Sequence, residues 1–96
     1  MTYEDFLRRL EEEQTAPTEL TAPLQALWYE RKGDWKKAHE LIDHLDDHIA
    51  AHVHAYLHRV EGDLGNAQYW YHRAQQPIFK GTTAEEWHNM VRLLLR

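Results

Sequence analysis

Apolar residues recur three and four positions apart along most of the chain, and six segments carry that period. Tyr3, Phe6, Leu7 and Leu10 form one stripe in a predicted helix from Thr2 to Gln14, which Thr2 can cap. Acidic Glu11, Glu12 and Glu13 oppose the dipole at its far end, so fraying or a basic neighbour is expected there. TAPTELT and Ala22-Pro23 read as a linker and a helix start, because Pro is tolerated only in the first helical turn. The second helix then runs from Ala22, capped by Thr21, to Lys32-Gly33, with a start near Thr18 as the alternative if Pro23 makes a kink. The third spans Asp34 to Leu45 with Trp35, Ala38, Leu41, Ile42 and Leu45 on one face. The fourth spans His48 to Glu61 with Ile49, Val53, Tyr56, Leu57 and Val60 inward. The fifth runs from Leu64 to Gln75, capped by Asp63, with Leu64, Ala67, Trp70, Tyr71 and Ala74 inward. Tyr69 points the other way, and packing against a neighbouring helix is the favoured reading for it. After a loop around Pro77 and Gly81, Thr83 with Glu86 suggests a capping box for a sixth helix along Trp87, Met90, Val91 and Leu94. No segment alternates as a strand does. Short connections imply antiparallel neighbours, and the expectation is an all-α stack of about six helices.

The chain repeats itself. Gly62-Asp63 lies 29 residues after Gly33-Asp34, and the same offset lays Ala55 on Ala26 and Ala67 on Ala38. Residues 22–46 and 47–76 thus read as two helical hairpins. Residues 1–21 read as a capping helix with its linker, and 77–96 as a loop with a second capping helix. All belong to one domain, since 96 residues allow only one.

The two units resemble the tetratricopeptide repeat. The likeness rests on a small residue seven before the Gly-Asp turn (Ala26, Ala55) and a bulky one just after it (Trp35, Leu64). It continues with Ala five after the Gly (Ala38, Ala67) and a large residue beyond (Ile42, Tyr71). Small residues let helix backbones approach, and large ones fill the gap to the next hairpin. The period is shorter than the usual ~34 residues, and the large residues expected earlier in each first helix are Ala22 and Ala51. Ala55 to Tyr71 is also similar to small uncharacterised bacterial proteins carrying AYLHR-x-EGD-x-x-NA-x-YWY, a likeness that implies no activity. The repeat resemblance implies a concave surface lined by the first helix of each hairpin. Its positions would be Leu27, Glu30 and Arg31, then His52, Tyr56 and Arg59, suited to a peptide or acidic tail. It also gives the terminal helices a role as caps over open ends. The same positions could instead be core and ion pairs beneath those flanking helices.

Composition narrows the rest. A net charge of -5 argues against general nucleic-acid binding, which needs a basic stripe. No Cys is present, so no disulfide or thiolate site can form, in keeping with a reducing, cytoplasmic setting. No apolar run approaches the ~18 residues of a membrane span. Eight His would move the charge from -5 to +3 on full protonation, mostly between about pH 5 and 7. His54 and His58 stand four apart on one helix face with Glu61 following, a spacing suited to zinc, nickel or copper. His48 and His52 fall on another side of the same helix. Hydrogen bonding to adjacent helices is the plainer role for all of them. A His58 or His72 pairing with Glu61 or Asp63 could support acid–base chemistry. However, GxSxG, HExxH and a glycine-rich phosphate loop are absent. The sequence therefore points to a non-catalytic module that binds a protein, a peptide or itself, with no cofactor. The alternative is a His-rich protein that binds a divalent metal or responds to pH.

Overall fold

A computed structural model describes residues 1–96. It contains six α-helices and no strand: α1 Tyr3–Glu12, α2 Ala22–Arg31, α3 Trp35–Ile42, α4 His48–Val60, α5 Leu64–Ala74 and α6 Thr83–Leu94. None is long and apolar enough to cross a membrane.

The two Gly-Asp turns are built alike. Gly33 and Gly62 both take φ +86°, a conformation that glycine enters without a Cβ penalty. Gly33 N–H bonds the Glu30 carbonyl and Asp34 N–H that of Tyr29; Gly62 and Asp63 repeat this on Arg59 and His58. This pattern closes the last carbonyls of one helix. The aspartates then open the next, accepting from the N–H of Lys37 and Asn66 respectively. One dipeptide thus ends a helix and starts its partner, making α2/α3 and α4/α5 tight hairpins. Hairpin 1 lies against hairpin 2 through contacts of α2 and α3 with α4.

Several expectations shift at helix ends. α1 stops at Glu12, and Glu13 is answered by Arg9, whose Nε lies 2.7 Å from its carboxylate. Thr21 makes no side-chain cap for α2. α3 ends at Ile42, leaving Leu45 in the turn before Asp47, which caps α4. The capping box of α6 uses Thr82 with Glu85, one residue earlier than expected. Both registers satisfy the same spacing. The observed one aims Glu86 into the protein, where it is 1 % exposed.

The largest correction concerns α6. The chain does not lay it over the free end of hairpin 2. It lies instead against α2 and α4, along the side where the first helices of the hairpins stand together. Trp87, Met90 and Val91 are buried there, and Trp87 Nε1 donates to the Leu27 carbonyl at 2.9 Å. α1 joins this core from the other flank. Phe6 meets the rings of Trp28 and Trp87, and Trp28 Nε1 donates to the Gln14 carbonyl. α5 packs chiefly on α4. Leu64 and Tyr69, expected to pack, are therefore 67 % and 51 % exposed. Ile49 and Val60, expected inward, are exposed as well, because they sit at the two ends of α4.

Candidate functional site

Two places gather polar chemistry: the concave side and the seam between the hairpins. On the concave side every residue implied by the repeat resemblance has an internal contact. Leu27 and Tyr56 are buried, and the Tyr56 hydroxyl donates to Glu30 at 2.5 Å. Arg31 lies over the Trp87 ring at 4.1 Å. Arg59 Nη1 is 2.9 Å from Glu86 Oε1, His52 Nε2 is 3.6 Å from Oε2, and the Tyr71 hydroxyl donates to the same carboxylate. Burial pushes the Glu86 carboxyl up, but the nearby His52 imidazole and the bonds from Tyr71 and Arg59 outweigh it and hold the group below its usual range. Burial, followed by the bond to Glu86, pushes the Tyr71 hydroxyl up. The expected groove is thus occupied by α6, and Glu86 is the buried carboxylate that Arg59 and His52 of α4 face.

The seam holds the imidazoles. Trp35, first residue of α3, donates its Nε1 to the Leu57 carbonyl at 2.7 Å and so is fixed across the hairpin junction. His39, one turn on, stacks on Trp35 with centroids 4.9 Å apart and planes 11° from parallel. Across the seam, His54 and His58 project side by side from α4, their rings stacked at 4.9 Å. Trp70 of α5 closes the far side, stacked on His54 at 3.8 Å and 12°. Two helices, α3 and α4, therefore deliver three imidazoles between two indoles, one from α3 and one from α5.

Their nitrogens are close. His39 Nε2 and His54 Nε2 are 2.9 Å apart, and one donor nitrogen from each of His39, His54 and His58 lies within 4.8 Å of the others. Glu61 accepts from His58 Nδ1 at 2.6 Å, and Asp43 stands 3.8 Å from His39 Nδ1. His54 is 4 % exposed, and its Nδ1 is the sole buried side-chain polar atom without a hydrogen-bond partner. An unmet buried group costs about 1–3 kcal/mol. Burial, then the positive character of His39 and His58, pushes the His54 imidazole down to about 4, despite the opposing pull of Asp43.

Of the expected ligand set, His54 and His58 do stand together. Glu61 meets only His58, and a second grouping joins His58, Glu61 and Asp63. The third imidazole, His39, escapes sequence reading because it comes from another hairpin. Its signal is the pairing of Ala38, the close-contact position, with the residue immediately after it. His52 faces Glu86, on the other side of α4 from His54, as the helical spacing requires. His72 is exposed. No family model, no curated protein and no solved structure matches this chain.

Proposed function

We propose that the chain is a non-catalytic, tetratricopeptide-like interaction module that takes a helical protein partner at the open end of its array. The partner is in the simplest case a second copy of itself. The supporting observation is Leu64. It holds the hairpin position of Trp35, directly after the Gly-Asp turn, yet is 67 % exposed. With Arg59, Ala67, Gln68, Tyr71 and Ile78 it lines a pocket of about 230 Å³. In helical arrays each hairpin buries such a face on its neighbour, and α6 has gone elsewhere. Two copies meeting about a twofold axis would bury the same apolar residues from both sides. The partner surface is thereby moved from the six concave positions, which are held by internal contacts, to α5 and the following loop. Sedimentation equilibrium tests this. The wild type forms dimers at tens of micromolar concentration, and Leu64→Asp shifts it to monomer with unchanged helicity. A wild type that stays monomeric up to millimolar concentration, with no change on substitution, overturns self-association.

A further inference from the structure

We propose that His39, His54 and His58 bind one divalent transition-metal ion, with zinc the reference ion, in a three-imidazole site at the seam between the hairpins. The proposal is independent of the end-face reading, since none of the three lines the Leu64–Ile78 pocket.

The donor set is the first argument. Neutral imidazole suits zinc and the neighbouring late first-row ions, and three protein nitrogens with an open fourth position form a recurrent arrangement. The spacing is the second. Zinc–nitrogen bonds of 2.0–2.1 Å set tetrahedral nitrogens about 3.3 Å apart. The His39–His54 pair, at 2.9 Å, must open slightly, while the third nitrogen, within 4.8 Å, closes. Changes of this size are small ring rotations.

The outer partners are the third argument. A ligating imidazole usually gives its other N–H to a carboxylate, which sets tautomer and orientation. Glu61 receives His58 Nδ1–H at 2.6 Å, leaving the lone pair of that tautomer on Nε2; Asp43 stands farther off, 3.8 Å from His39 Nδ1, near enough to attract that N–H but not to accept it as a hydrogen bond. Glu61 is therefore a positioning residue and not a ligand. The walls are the fourth. Trp35 and Trp70 stack on His39 and His54, so two of the rings are held before any ion arrives. His39 Nε2 and His54 Nε2 are in hydrogen-bond contact at 2.9 Å, and the buried His54 Nδ1 has no partner. The other grouping, His58 with Glu61 and Asp63, adds only exposed carboxylates and carries no separate site.

The test is a Zn²⁺ titration of chelator-treated protein at neutral pH, read by calorimetry and by the ring resonances of all eight histidines. Binding saturates at one ion per chain and moves the signals of His39, His54 and His58, leaving His44, His48, His52, His72 and His88 in place. His39→Gln removes saturable binding. Glu61→Ala weakens it by roughly ten- to a hundredfold. The wild-type resonances need no variant to fold, so the result stands even if His54→Ala does not. Absence of saturable binding overturns the site. So do shifts confined to the exposed histidines, or undiminished binding by His39→Gln.

Discussion

Trp35 and Leu64 occupy the same place in successive hairpins and have opposite surroundings. Each follows a Gly-Asp turn of the same geometry and opens the second helix of its pair. Trp35 is bonded across the seam to Leu57 and stacked on His39; Leu64 is mostly in solvent. The neighbour makes the difference. α3 has hairpin 2 beside it, whereas α5 meets Ile78 and Phe79 of the following loop, and α6 runs along α2 and α4. Local sequence sets the turn and the helix, and the order of stacking sets which faces are closed.

The contrast can be broken most forcefully at Glu86, which holds α6 against hairpin 2. Glu86→Ala leaves Arg59 without its buried partner and should cost about 3–5 kcal/mol in chemical denaturation. A loss under 1 kcal/mol would mean that α6 is held by apolar contact alone. The hairpin positions themselves come next. Trp35→Ala should destabilise by about 3 kcal/mol, as Trp truncations in packed settings do, and Leu64→Ala by less than about 0.5 kcal/mol, as for exposed sites. Equal costs would erase the distinction between a closed face and an open one.

The seam should also be the acid-sensitive part. In the metal-free protein the His54 pKa is depressed to about 4, and the groups facing it are His39 of α3, Asp43 at the end of that helix and His58 of its own helix. The unfolded chain takes up this proton near pH 6.5 and the folded one only near 4, so stability is full above 6.5. It falls as pH drops toward 4, by up to about 3 kcal/mol for this group. His54→Phe should flatten that part of the profile; an unchanged slope would place the acid sensitivity elsewhere.

The third helix end sharpens the comparison of the turns themselves. Gln75 closes α5 with φ 58°, where the two earlier turns have glycine, and its neighbour Gln76 bonds back to the Tyr71 carbonyl in the same pattern. Gln75→Gly should therefore stabilise by about 1 kcal/mol, whereas Gly33→Ala and Gly62→Ala should both destabilise. A neutral Gln75→Gly would show that the turn is not strained.

What the sequence revealed follows the same division. The helices and their turns were legible because Gly-Asp chemistry and apolar spacing act within a few residues. The direction of α6 was not, since its stripe of Trp87, Met90 and Val91 would suit either the end of hairpin 2 or the concave side. The adjacent pairs Thr82-Thr83 and Glu85-Glu86 allowed two capping registers, and only the buried contacts of Glu86 choose between them. His54 and His58 were visible as an i,i+4 pair, whereas His39 needed the hairpins to be docked. The groove positions taken from the repeat resemblance lie on α2 and α4 as expected, and α6 lies against those helices.

The central claim is that the α5 flank is the unfilled counterpart of the seam. Methyl and indole NMR across a dilution series tests it most directly. The account predicts concentration-dependent shifts at Leu64 and Ile78, with the Trp35 indole unchanged. Shifts centred on Ile49 and Leu93, the exposed apolar residues near the other end of α4, would contradict it, as would none from micromolar to millimolar protein.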